Sequence, residues 1–294
     1  LFHSQRSDVR IILAQSMQHS RQVTRDISYS HSAQTRGGRA VIRTMENLTG
    51  RIQLIKRAEG YEHDVADGQD FWQVMVERYG LTLDIASGAL SNIPRSGPII
   101  LLANHPFGIL DGLMMGHILS QTRGDFKILA NSVFQKAEDL QHVVLPVSFD
   151  DTKEAVAQNL RTRKQSLAYL GEGGAIGIFP GGTVSTAAEP LARPLAPGWR
   201  SFTARMIAKS DATVVPIFFE GQNSRLWQIA SHVHVTLRMA LLINEFGKRV
   251  DTPVKVHVGD PITRDAIGDK VKEAISLMAF LRRKPYDLSP KPFA

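Results

Sequence analysis

The side chains best suited to chemistry lie in Asn104-His105-Pro106-Phe107-Gly108-Ile109-Leu110-Asp111-Gly112. A carboxylate that holds one imidazole nitrogen leaves the other free as a base near neutral pH. Residues six apart on a continuous helix are rotated by about 240°, so His105 and Asp111 meet only if residues 106–108 turn and Asp111 falls in the first helical turn. Pro106 and Gly108 are residues that make such turns. The resulting His/Asp dyad, with no enzyme nucleophile, suits removal of a proton from a substrate hydroxyl. The same residues also suit an ordinary strand-to-helix turn with an Asn104 cap and a buried His105, and spacing alone leaves both readings open.

Further along, Phe179-Pro180-Gly181-Gly182-Thr183 follows an apolar run. Adjacent glycines let backbone N–H groups converge on an anion or a developing oxyanion. Val214-Val215-Pro216-Ile217 reads as a strand interrupted by proline, a device of edges and strand ends. His232 and His234 alternate as if on one strand face, but with His257 they lack a metal-ligand spacing, so no metal is expected. A Gly-x-Ser-x-Gly elbow, a Walker loop and a dinucleotide fingerprint are all missing. With no cysteine, thiolate catalysis and disulfides are excluded.

These residues need a frame. Apolar runs at 99–103, 126–130, 143–149, 175–179, 213–219 and 254–258 read as strands. Helical patterns fall at 69–79, 110–120, 152–170, 199–209 and 264–283, the last two-thirds of the chain thus alternating strand and helix. That interleaving argues an α/β fold, with a mixed, largely parallel sheet flanked by helices. Of the formal net charge of +7, a net +6 lies in residues 1–60, which carry ten Lys and Arg against four Asp and Glu. Residues 1–40 show little periodicity, and Arg36-Gly37-Gly38-Arg39 reads as a break. Val41, Met45, Leu48, Ile52 and Ile55 then recur at helical spacing on one basic amphipathic helix, which either packs on the core or lies on anionic lipid. The expected organisation is a basic helical N-terminal segment, residues 1–80, probing a membrane face, and a sheet domain, residues 81–294. No run approaches the roughly 18 apolar residues that span a bilayer, and the first residues do not read as a secretory leader.

The three motifs, in this order and at these separations, resemble the glycerolipid acyltransferase family whose bacterial type is 1-acylglycerol-3-phosphate acyltransferase. The likeness runs from about Pro94 to Ile262. Asn104-His105-Pro106-Phe107-Gly108 with Asp111-Gly112, Gly221-Gln222-Asn223-Ser224-Arg225-Leu226 and Val256-His257-Val258-Gly259-Asp260-Pro261-Ile262 resemble one branch, the hemolysin-labelled or ornithine-lipid-synthesis acyltransferases. Two features depart from the wider family: its Asp stands one residue nearer the His, and it has Glu where Gly181 stands, with an Arg directly after the Thr.

The resemblance implies an O-acyltransferase with His105 and Asp111 as catalytic dyad and Asn104, Gly108, Phe179, Pro180, Gly181, Gly182 and Thr183 in substrate binding. It implies a thioester donor, acyl carrier protein or coenzyme A, as co-substrate with no further cofactor. The altered Gly181 block favours a lyso-ornithine-type aminolipid acceptor over a glycerol phosphate, leaving 1-acylglycerol-3-phosphate acylation as the alternative. Arg161, Arg163 and Lys164 are the candidate dock for an acidic carrier protein. A lipid acceptor implies peripheral attachment at the inner, cytoplasmic face of the bacterial membrane, and no nucleic-acid partner is expected. The rival from another class is a non-enzymatic basic protein that binds membrane or nucleic acid without using His105.

Overall fold

Residues 99–103, Ile-Ile-Leu-Leu-Ala, offer no polar side chain to solvent, so a strand there must be covered on both faces. In the computed structural model, which describes residues 28–30, 33, 35–148, 150, 152–189, 192–195, 199 and 201–293, every residue of this strand is buried. Arg6, Arg10, Arg21 and Arg25, four of the basic positions in the N-terminal segment, lie outside the described residues.

Among the described residues seven strands form one sheet: β1 (Thr82–Ser87), β2 (Ile99–Ala103), β3 (Lys127–Asn131), β4 (Val144–Val147), β5 (Ala175–Ile178), β6 (Thr213–Phe219) and β7 (Pro253–Val258). Their order is β1-β7-β6-β2-β5-β3-β4. Neighbours are parallel except β6 and β7, which run antiparallel. The expected mixed, largely parallel sheet is therefore present.

Alternation along β2 feeds two cores. Ile99, Leu101 and Ala103 pack on one face with Leu54, Tyr61, Trp72 and the helix Ile109–Arg123. Ile100 and Leu102 pack on the other with the helices Lys153–Gly171, Ser201–Ala208 and Ala274–Asp287. Leu54 to Leu81 share the first core with the sheet. The boundary expected after residue 80 thus cuts through one continuous core.

Several expectations need correction. Arg36-Gly37-Gly38-Arg39 opens a helix, Arg36–Leu48, capped by the Thr35 hydroxyl on Gly38 N–H. The single basic helix expected from residue 40 onward is two, because the second, Arg51–Ala58, starts after Gly50 at φ 119°, a conformation open to glycine. Ile42 and Glu46 face inward, whereas Val41, Leu48 and Ile52 are 49%, 81% and 49% exposed. The expected apolar stripe therefore points outward. Pro216 is interior, not at an edge. Its side toward β7 faces Gly259, past the last β7 residue, where Gly259 N–H donates to the Pro216 carbonyl and the Gly259 carbonyl, which a proline nitrogen cannot serve, accepts from Asn92 Nδ2 at 3.4 Å. Residues 264–283 break at Gly268 (φ 58°) into Arg264–Ile267, a 3-10 turn and Ala274–Asp287.

Candidate active site

Strands β5, β2 and β6 are adjacent and parallel, with Leu102 opposite Ile178 and Ala103 opposite Ile217. Their carboxyl ends therefore deliver Asn104-His105, Phe179 and Glu220-Gly221 to one edge of the sheet, the place where α/β sheets gather reactive groups.

Asn104 is buried, and its amide is consumed by one backbone: Nδ2 donates to the Phe219 carbonyl at 2.9 Å and Oδ1 accepts the Phe219 N–H at 2.7 Å. It rivets β2 to β6, and it is not the helix cap. That position belongs to Gly108 (φ 88°), and the capping acceptor is Asp111. Asp111 is wholly buried. Its Oδ2 accepts the N–H groups of Phe107 at 2.7 Å and Gly108 at 3.0 Å and lies 2.9 Å from His105 Nδ1. The ring is turned so that this last contact falls short of hydrogen-bond alignment, and Asp111 Oδ1 meets no donor among the described residues. His105 and Asp111 are thus brought together by the turn at 106–108.

The His105 ring stacks on Phe179, with centroids 4.4 Å apart and planes 26° from parallel. Its carbonyl accepts the Ser185 N–H at 2.7 Å, so the segment after β5 meets both the ring and the backbone of His105. Within that segment Pro180 and Gly181 are buried, Gly182 is half-buried and Thr183 exposed. Gly182 N–H is donated to the Phe179 carbonyl at 3.0 Å, so it is unavailable to an oxyanion, contrary to expectation. The N–H groups of Gly181 and Thr183 have no partner among the described residues.

Two further residues beside the dyad were not visible in the sequence. Tyr29 reaches across from the N-terminal segment, and its hydroxyl accepts the Ile109 N–H at 3.3 Å. A Cβ on Gly108 would stand 2.9 Å from that oxygen and 3.4 Å from Val184. Burial pushes the Tyr29 phenol well above its usual pKa. Glu46 holds Tyr29 in place, accepting its N–H at 2.6 Å and the Ser28 hydroxyl at 2.5 Å. Burial is also the largest influence on the Glu46 carboxyl, which it raises. The second, Arg249, lies over the Phe107 ring at 4.2 Å and donates to the Gln222 carbonyl at 2.9 Å. Burial lowers its pKa, against the pull of Glu245 and Asp111. It lines a cavity of about 280 Å³ with Phe107, Leu110, Glu220, Gly221 and Lys255.

Within the remaining motifs, Ser224 and Ile262 tie elements together. Ser224 caps the helix Arg225–Val233, and both its N–H and its hydroxyl bond Glu245 of the helix Val235–Gly247, each at 2.7 Å. Residues 256–262 descend to the opposite sheet edge, where Ile262 bridges Val214. His232 ends one helix and His234 caps the next, its Nδ1 accepting the Thr236 N–H, so the expected shared strand face does not exist. Arg161 and Lys164 are exposed and Arg163 half-buried on the helix Lys153–Gly171. Among the described residues no helix is long and apolar enough to cross a membrane.

A family model described as Acyltransferase matches residues 62–289. Lyso-glycine lipid O-acyltransferase of Phocaeicola vulgatus is 24% identical over 228 residues, covering 75% of this chain and 78% of that protein. Its counterpart in Bacteroides thetaiotaomicron is 25% identical over 209 residues, covering 66% and 71%. The crystal structure of the 1-acyl-sn-glycerophosphate (LPA) acyltransferase PlsC from Thermotoga maritima aligns with a TM-score of 0.48 and 13% identity, over 87% of this chain and 98% of that one. With the family model spanning most of its length, the chain belongs to the acyltransferase family.

Proposed function

We propose that the protein transfers a fatty acyl group from a thioester, acyl carrier protein or coenzyme A, to the hydroxyl of a lysolipid whose head group is an amino acid. The lyso-ornithine type expected from the sequence belongs to this class, and so does the lyso-glycine lipid in the names of two relatives. The observation that carries the reading is the buried Asp111 carboxylate 2.9 Å from His105 Nδ1, at the edge where the Gly181 and Thr183 N–H groups have no partner among the described residues.

His105 takes the proton of the acceptor hydroxyl, and Asp111 steadies the imidazolium. Alignment of such pairs tightens when substrate binds. The hydroxyl oxygen forms the new ester bond to the thioester carbonyl carbon, whose oxygen gathers charge against the Gly181 and Thr183 N–H groups. The C–S bond then breaks and the imidazolium returns its proton to the thiolate. Exposed Val41, Leu48 and Ile52, flanked by exposed Arg36, Arg39 and Lys56, support attachment at the anionic inner face of the membrane. Arg161 and Lys164, beside exposed Val156 and Leu160, support docking of an acidic carrier.

The test offers purified protein an acyl-thioester with lyso-ornithine lipid, lyso-glycine lipid and lysophosphatidic acid. Ester formation on the amino-acid lipids, lost in His105→Ala, is expected. Preference for lysophosphatidic acid would favour the alternative acceptor, and His105→Ala with near-normal turnover would remove the dyad mechanism.

A further inference from the structure

A guanidinium drawn partly out of water keeps strong donors unused when no carboxylate lies within hydrogen-bond reach of it. Arg249 is in that state: half-buried, it contacts only an aromatic face and one backbone carbonyl among the described residues. We infer that Arg249 and the cavity it lines receive the carboxylate of the acceptor's head group.

The cavity adjoins the turn that carries the dyad. Its wall is Phe107, whose N–H is bonded to the same Asp111 oxygen that touches His105. Gly221, at φ 122°, lets the wall close: a Cβ there would come within 2.8 Å of the Phe107 ring. The guanidinium is held against Phe107 by stacking and against the Gln222 carbonyl by one N–H, which fixes its plane while leaving other donors of the fork for an anion. Lys255 adds a second cation at the mouth.

The charge balance favours a carboxylate over a phosphate monoester. Glu220 lines the same cavity, its Oε2 3.0 Å from His257 Nε2, and its charge opposes a dianion more than a monoanion. An amino acid acylated on its nitrogen keeps a single carboxylate a few bonds from the chain hydroxyl. The inference rests on the proposed acceptor class.

The experiment compares lyso-glycine lipid with its neutral glycinamide analogue and with lysophosphatidic acid, using wild type, Arg249→Ala and Arg249→Lys. Wild type is expected to show a KM about 10- to 100-fold lower for the carboxylate than for the amide, as for a charged hydrogen bond. Arg249→Ala should erase that ratio by raising only the carboxylate KM, and Arg249→Lys should restore part of it. The wild-type ratio needs no variant, so a misfolded Arg249→Ala does not blunt the test. Equal KM values in wild type, an equal rise for both acceptors in the variants, or a lower KM for lysophosphatidic acid would overturn the inference while leaving acyl transfer standing. Absence of transfer to any acceptor would overturn both.

Discussion

Asp111 holds two jobs in one oxygen, and a pair of substitutions separates them. In Asp111→Ala the buried N–H groups of Phe107 and Gly108 lose their acceptor. Each unsatisfied buried donor costs about 1–3 kcal/mol, so the loss is about 2–6 kcal/mol, a large share of a stability of about 5–15 kcal/mol. Asp111→Asn keeps an oxygen at that point and loses the charge-assisted part of the two bonds, while its NH2 group takes the place of Oδ1, which already lacks a donor. The cost there is about 1–3 kcal/mol. Activity divides differently. An amide does not steady the imidazolium or fix the same tautomer, and the corresponding change in a serine-protease triad lowers kcat about 10⁴-fold. Thermal melts followed by circular dichroism report the first effect, and thioester turnover below the melting transition reports the second. Asp111→Asn is expected to fold and to be nearly inactive. If it folds and turns over within a few-fold of wild type, Asp111 is a helix cap and the dyad reasoning is wrong.

Removing the face on which His105 rests, with Phe179→Leu, is expected to lower kcat about 10- to 100-fold with a small change in melting temperature, since a slightly misplaced reacting group costs that much; unchanged kcat would show that the stack does not position the ring. Gly116→Ala places a Cβ 2.1 Å from the Trp72 ring and should cost about 1–3 kcal/mol by overpacking, read as a lower melting temperature with kcat retained at permissive temperature. Burial lowers the pKa of His117 from its ordinary 6.5, so the unfolded chain binds that proton more tightly. Its contribution to stability is present above about pH 6.5 and is lost as pH falls below it. Denaturant melts across that range should show a shallower acid-side decline in His117→Gln, and identical slopes would contradict the assignment.

Strong local patterns were legible and weak or distant ones were not. Six strands could be read because each is an apolar run; β1 escaped because Thr82-Leu83-Asp84-Ile85-Ala86-Ser87 lies at the sheet edge and is only partly buried. The helices Arg225–Val233 and Val235–Gly247 were missed because their join at His234 looks like an alternating strand. His105, Asp111 and Phe179 were identifiable because chemistry and turn residues sit within two short segments. Tyr29 and Arg249 were not, since only the folded chain brings Tyr29 to Ile109 and Arg249 to Phe107. The substrate-binding expectation for Asn104 failed to foresee that its short amide would match the spacing between β2 and β6.

The clasp of Tyr29 and Glu46 bears on how the protein can be shortened. The family match begins at residue 62, an inviting start for expression. A chain cut there would lack the hydroxyl that accepts the Ile109 N–H, the carboxylate that secures it, and Leu54 and Ala58 of the first core. Such a fragment would keep every conspicuous motif and lose the scaffold that sets their spacing, so its inactivity would say nothing about the chemistry of His105.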